Sequence, residues 1–293
     1  MWLEFEVSAE QDQIRLGNFL RRCGVSAALI RSVKYTQPGI LADGVRTNTN
    51  QPVRAGQRIG FFLPPEEAFS VRPQAIPLRV VYETSHLALI DKPAGMAVHP
   101  TLNYPCDTLA NGWAGRLAAE GRQGPCRPVN RIDKGTSGLV LCAKNAYAAA
   151  FLPGQVEKVY LAVAEGEMPP GEGTVDAPIG RGEGILQRCV VPDGQPSRTH
   201  YQVLAAGGGY SLLQVRLETG RTHQIRVHMA HIGHPLAGDW LYGHGPGPDI
   251  QRQALHCFAM CLPAMPGNAG GWVYTPPPED MQQLYRKMHP LAW

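Results

Sequence analysis

No apolar run approaches the roughly 20 residues that a membrane-crossing helix needs, and the start is acidic (Glu4, Glu6, Glu10, Asp12) where a secretory leader would be basic. A soluble, cytoplasmic protein is expected. Seven cysteines (Cys23, Cys106, Cys126, Cys142, Cys189, Cys257, Cys261), an odd number at irregular spacings, exclude a regular disulfide framework and fit a reducing setting. His256-Cys257 with Cys261 reads as one face of a helix, but no second cysteine pair completes a four-ligand zinc set. A Rossmann glycine fingerprint and a P-loop are also missing, so no nucleotide cofactor is expected.

What is present divides the chain in two. At 293 residues and 44% hydrophobic, it can bury the core of one sizeable domain and of a smaller one. Residues 13–63 hold eight basic side chains (Arg15, Arg21, Arg22, Arg31, Lys34, Arg46, Arg54, Arg58) against Asp43, a balance of +7. Residues 1–12 carry −4, and the remaining 230 residues sum to zero. Leu16, Phe19 and Leu20 recur at helical spacing, with Asp12 as the expected cap and Gly24 as the stop. Ser26 is expected to cap a second helix, with Leu29, Ile30 and Val33 inward and Arg31 and Lys34 outward. Residues 40–46 read as a hairpin with an Asp-Gly turn and residues 56–61 as a returning strand. Pro64-Pro65-Glu66-Glu67 through Pro73 and Pro77 reads as a linker over 64–78, which leaves 79–293 as the large domain.

Four stretches of that large domain carry chemistry. Asn130-Arg131-Ile132-Asp133-Lys134-Gly135-Thr136-Ser137-Gly138-Leu139 isolates one carboxylate in a turn and leads into an apolar run. Asp133 is either a reactive group or an ordinary turn residue opening a strand, and Arg131 stands within reach of a phosphate. Lys92-Pro93-Ala94-Gly95-Met96-Ala97-Val98-His99-Pro100 reads as a shaped turn beside a sheet. Residues 158–166 alternate as a strand, with Tyr160 and Ala162 on one side. In Thr219-Gly220-Arg221-Thr222-His223-Gln224-Ile225-Arg226-Val227-His228, followed by His231, His234, Gly238-Asp239 and Tyr242-Gly243, the histidine spacings do not reproduce a zinc helix and no acid lies between Arg221 and His234. No metal is expected.

These stretches resemble, in order, the motifs of the RluA family of RNA pseudouridine synthases: K-P-x-G-x-x-V-H-P, H-R-L-D-x-x-T-S-G-L, K-x-Y-x-A, and G-R-T-H-Q-I-R-x-H with G-H-P and G-D-x-x-Y-G. Gln253-Ala254-Leu255-His256 extends the likeness, which covers about residues 79–260. Ile132 replaces Leu, a volume-conserving change; Asn130 replaces His, losing a titratable ring. The N-terminal 1–63 resembles the small alpha-L RNA-binding domain, apart from Gln37-Pro38 between helix and strand and Asp43 where Asn is common.

The resemblance implies an α+β fold, a mostly antiparallel mixed sheet with the cleft across it and the basic domain flexibly attached. It implies isomerisation of uridine to pseudouridine in ribosomal or transfer RNA without a cofactor. Asp133 would be the catalytic carboxylate, Arg226 the cation that holds it ionised, and Tyr160 the platform for the flipped base. Arg131 would fill the gap left by that base or hold a flanking phosphate. Arg221 and His223 would contact RNA backbone, and Arg15, Arg31 and Lys34 would bind RNA from the small domain. No obligatory protein partner is evident, and a monomer is expected. Two rivals remain open: an RNA-binding protein that keeps the fold without catalysis, and a glycosidic hydrolase, which usually needs a second carboxylate.

Overall fold

Apolar residues at helical spacing after a basic start fold as the pattern indicates. The computed structural model, which describes residues 1–65, 71–182 and 187–290, places a helix at Leu16–Arg22 that buries Leu16, Phe19 and Leu20. A second, Ala27–Tyr35, begins at Ser26, whose hydroxyl accepts from the Leu29 amide at 3.2 Å. Asp12 is not a cap. Arg15 occupies the N-cap position, while the Asp12 carboxylate accepts from the Ala55 amide at 2.9 Å. The helix starts late because Gln13 to Leu16 first exchange backbone hydrogen bonds with Gln51 and Val53. Strands Trp2–Glu6 and Arg58–Phe62 pair antiparallel, and the hairpin Leu41–Ala42 with Val45–Arg46 turns at Asp43-Gly44, both at positive φ.

This small unit is not loosely tethered, contrary to the expectation from resemblance. Its core is continuous with that of the rest. The Phe5 ring meets Tyr147 at 5.8 Å, Tyr147 stacks on Phe151 at 5.6 Å, and the Tyr147 hydroxyl donates to the Cys23 carbonyl. The buried Tyr147 ring, with Phe5 and Phe151 half-buried against it, ties the junction by apolar contact, which contributes more than exposed charge pairs do. Of the expected linker, Glu66 and Glu67 lie outside the described residues. Its later part is docked: Gln74 donates its amide to the Asn111 carbonyl, and Asn111 donates to the Arg72 carbonyl. We propose the division at 1–63 and 79–293 on the separate sheets.

The large unit is α+β. Among the described residues its sheet has eleven strands. The main path runs Gly171–Asp176, Arg198–Gly207, Tyr210–Leu217, Glu157–Glu165, Leu255–Leu262, Ser137–Ala143, Leu87–Lys92, Arg79–Glu83. Every pairing is antiparallel except that of Leu255–Leu262 with Ser137–Ala143. Ser137–Ala143 is buried at all seven positions, as a central strand covered on both faces must be. Gly138, at φ +106, lets the parallel partner approach, since a Cβ there would stand 2.3 Å from the Cys257 carbonyl oxygen. The helices Leu109–Ala119 and Gln224–His231 contribute Trp113, Leu117, Ile225 and Met229 to the main core, and Glu279–Tyr285 closes a second, smaller one. No helix among the described residues is long and apolar enough to cross a membrane.

Gly24 tests the junction of the two units, because it sits at φ +82 and an added Cβ would lie 2.3 Å from the Phe151 ring. Gly24→Ala is expected to lower the stability of the whole chain by about 1–3 kcal/mol, read from the urea midpoint. An unchanged midpoint would show that the ring does not pack there.

Candidate active site

The loop that carries Asp133 is fastened from several directions. Asn130, upstream of it, extends the ladder of strand Ser137–Ala143 with its side chain: its carbonyl oxygen accepts from the Leu141 amide at 2.8 Å and its NH₂ donates to the Leu139 carbonyl at 3.3 Å. That gives the departure from His a structural meaning, because the amide carries donor and acceptor on one carbon and so meets the Leu139 carbonyl and the Leu141 amide of the same strand together. Lys92, fully buried, donates its ammonium to the carbonyls of Pro93, Met96 and Lys134 at 2.8, 2.7 and 3.2 Å. Burial lowers its pKa to about 7, yet three surrounding carbonyls match the three donors of the charged form. Arg252 forks onto Asp280 at 2.7 and 2.9 Å and donates its remaining arm to the Gly135 carbonyl at 3.2 Å. Gln253 donates to the Thr136 hydroxyl.

Arg226 lies on the helix Gln224–His231 and is only 4% exposed, not on a strand surface. Its Nη1 donates to Asp133 Oδ2 at 3.0 Å, while Nε and Nη2 donate to Asp239 at 2.7 and 2.8 Å. Desolvation would lower its pKa, but the hydrogen bonds and charges of Asp239 and Asp133 raise it overall. The guanidinium also faces the Tyr242 ring at 5.0 Å. The helix is aimed by its first residue: the Gln224 side chain accepts from the Arg221 amide and the Thr219 hydroxyl and donates to the Arg198 carbonyl and Thr199. His223, in the left-handed region at φ 58, points Nε2 toward Asp133 at 3.9 Å. Its Nδ1 lies 2.8 Å from the Tyr242 hydroxyl, which accepts from the Arg188 amide and is free to donate its own proton. Burial lowers the His223 pKa, and the neutral ring then carries its proton on Nε2, toward the carboxylate.

Asp133, Arg226, Tyr160, Arg131, Arg221 and His223 all line one cleft of about 870 Å³, ample for a nucleotide. Tyr160 is 6% exposed, and burial holds its phenol well above the usual range. Ile132, Leu217, Ile225 and Leu255 complete an apolar wall. Arg221 donates to the Pro196 carbonyl, and Arg131 is exposed at the rim. Arg15, Arg31 and Lys34 are not in the cleft; they lie in the small unit, with Lys34 over the Tyr35 ring at 5.5 Å. Asp239, the one acid the sequence offers as a spatial neighbour of Asp133, joins the site, and so do Lys92, Tyr242, Arg252 and Asp280, which the sequence reading gave no role. Lys92 and Tyr242 stand inside quoted motifs, whereas nothing local marks Arg252 or Asp280.

The histidines have separate tasks. His228 is buried between Thr199 and the Ala177 carbonyl, and His234 contacts the Glu165 carbonyl. His256 lies on a strand, Leu255–Leu262, rather than a helix, and bridges Ser137 and the Thr275 carbonyl. Among the described residues no three His, Cys, Asp or Glu side chains are gathered for a metal.

Residues 86–231 match the family described as RNA pseudouridylate synthase. The chain is 35% identical over 270 residues to the uncharacterized RNA pseudouridine synthase YjbO of Bacillus subtilis, covering 90% of this chain and 95% of the relative. It is 38% identical over 271 residues to ribosomal large subunit pseudouridine synthase D of Nitrosomonas europaea, covering 87% and 78%. Among solved structures it resembles human RNA pseudouridylate synthase domain containing 1, with a TM-score of 0.61 and 26% identity over 75% of this chain and 92% of that one.

Replacing Asn130 by Ala would strand the Leu141 amide and the Leu139 carbonyl. A loss of about 1–3 kcal/mol is expected in urea unfolding, with faster hydrogen exchange at Leu141; unaltered exchange there would refute the ladder role. Burial also holds His86, His223, His228 and His256 below their ordinary value of 6.5. The unfolded chain therefore binds more protons near pH 6.5 than the folded one, and stability falls as pH drops through that value. The urea midpoint should be lower at pH 5.5 than at 7.5, a window above the carboxylate range.

Proposed function

The chain belongs to the RluA family of RNA pseudouridine synthases, enzymes that isomerise uridine in RNA, and we propose that Asp133 is its reacting carboxylate and ribosomal or transfer RNA its substrate. The observation that carries the reading is the single-arm ion pair of Asp133 with buried Arg226, in a cleft that also holds Tyr160. The relatives named for the ribosomal large subunit favour ribosomal RNA over transfer RNA.

In the reaction the bond from ribose C1′ to base N1 breaks, the base turns, and C1′ joins C5, which gives up its proton while N1 gains one. Composition and oxidation state are unchanged, so the step itself calls for no redox partner. Asp133 acts at the sugar, either by adding to C1′ or by removing a ribose proton; both routes need one ionised carboxylate. Arg226 fixes it, the Tyr160 ring supports the extruded base at roughly 1–3 kcal/mol, and Arg131 occupies the space that base vacates or a neighbouring phosphate. Arg221 holds backbone, and His223 directs its Nε2 proton at the reacting carboxylate. Arg15, Arg31 and Lys34 are cations suited to phosphates farther along the RNA.

The hydrolase reading is disfavoured by Asp239. It is wholly buried, and its oxygens accept from Arg226 and from the Leu241 and Tyr242 amides, so it cannot flank a glycosidic bond as a second carboxylate. The non-catalytic reading loses its main support, since Asn130 serves as a strand clamp.

Tritium release from host RNA labelled at uracil C5 measures the reaction directly. The wild type should release tritium with no free uracil, and Asp133→Asn should cut the rate on the order of 10³-fold or more with its fold intact. Normal release by Asp133→Asn would remove Asp133 from the mechanism.

A further inference from the structure

Between the cleft and helix Leu109–Ala119 the chain forms a small, well-bonded projection. The Leu109 and Ala110 amides donate to the carbonyls of Ala97 and Val98 at 2.9 and 3.1 Å. Asp107 exchanges two hydrogen bonds with the Gln74 side chain at 2.8 and 2.9 Å. At the tip, Thr101 and Tyr104 exchange both backbone hydrogen bonds, at 2.9 and 3.1 Å, and the Tyr104 amide also reaches the Thr101 hydroxyl. A turn held this firmly still leaves Leu102 at its apex fully exposed. Tyr104 is 44% exposed, and the Lys134 ammonium sits 4.0 Å from its ring centroid. Lys134 is itself anchored through its carbonyl, which accepts from the Gly95 amide and Lys92.

Charge says what this rim faces. Among the described residues lining the cleft, Arg131, Lys134, Lys158, Arg221 and Arg226 stand against one carboxylate, Asp133. Only Arg226 of the five pairs with it, so four cations are left for a polyanion. A strand that lowers one uridine to Asp133 must carry its neighbour across the rim, where a base face and phosphates meet an aromatic ring, an ammonium and an apolar tip. Leu102 and Tyr104 lie beyond the motif ending at Pro100, and Lys134 fills an unspecified position of the motif around Asp133, so the resemblance assigns them nothing.

We propose that the Thr101–Tyr104 turn is a lip that grips the nucleotide flanking the target uridine, with Tyr104 stacking its base, Leu102 packing on its exposed edge and Lys134 meeting its phosphate. This rests on the RNA isomerase reading. Ring area left open on Tyr104 takes the base, while the Lys134 ammonium strengthens the ring's hold on the strand by countering its charge. The lip thereby contributes to the choice of uridine through its neighbour rather than through the uracil itself.

The test uses the full chain and C5-tritiated total RNA from a host strain lacking the gene. Tyr104→Ala and Leu102→Ser should each lower kcat/KM for tritium release about tenfold, chiefly through KM, whereas Tyr104→Phe should stay near wild type. Leu102 contributes nothing to the core, so Leu102→Ser cannot act by unfolding. Lys134→Ala should flatten the slope of log KM against log salt by about 0.7, one phosphate contact. Unchanged kcat/KM in both Tyr104→Ala and Leu102→Ser, beside an active wild type, overturns the lip alone. A wild type that releases no tritium overturns the isomerase reading and the lip with it.

Discussion

A buried guanidinium shared by two carboxylates governs this site. Removing one partner from a buried, hydrogen-bonded ion pair typically costs about 3–5 kcal/mol, and here one guanidinium serves both partners. Arg226 is placed by a helix whose first residue, Gln224, is clamped from both sides, and Asp239 is held in turn by two backbone amides. The geometry of the Asp133 carboxylate thus depends on hydrogen bonds several steps removed from it, a common design where orientation matters more than affinity.

The other half of that geometry is the loop 130–136. Its fasteners come from far apart in the chain: Lys92 before it, Arg252 and Gln253 over a hundred residues after it, and Asp280 on a helix outside the family match. The parallel pairing of Ser137–Ala143 with Leu255–Leu262 explains why they meet, since it lays His256 beside Ser137 at the base of the loop. The helix Glu279–Tyr285 is therefore a brace for the loop 130–136 through Asp280 and Arg252, in addition to a cover for its own small core.

Much of this is legible in the sequence where the signal is local. Helical spacing locates both N-terminal helices, Ser26 reads as a cap, and motif residues Asp133, Tyr160 and Arg226 meet in one cleft. What escapes depends on distant partners. Asp12 looks like a cap because nothing nearby shows that Ala55 claims it. Cys257 and Cys261 look helical because a four-residue spacing puts two side chains on one face of a helix and of a regular strand alike. The small unit looks loosely attached because Phe5 and Tyr147 are 142 positions apart, and no sequence pattern pairs them.

The asymmetry of Arg226 suits the reacting role proposed for Asp133. The two-pronged edge of the guanidinium, Nε and Nη2, is given to Asp239, which is wholly buried. Asp133 receives only Nη1, on Oδ2, and the His223 ring approaches that same oxygen. Among the described residues the contacts to the Asp133 carboxylate fall on Oδ2 and leave Oδ1 aside. A bidentate grip would have fixed Asp133 equally well but engaged both its oxygens. With the fork spent on Asp239, one oxygen of Asp133 is held in place and the other is left unengaged, so that in the proposed reaction positioning and reactivity fall to different atoms of one side chain.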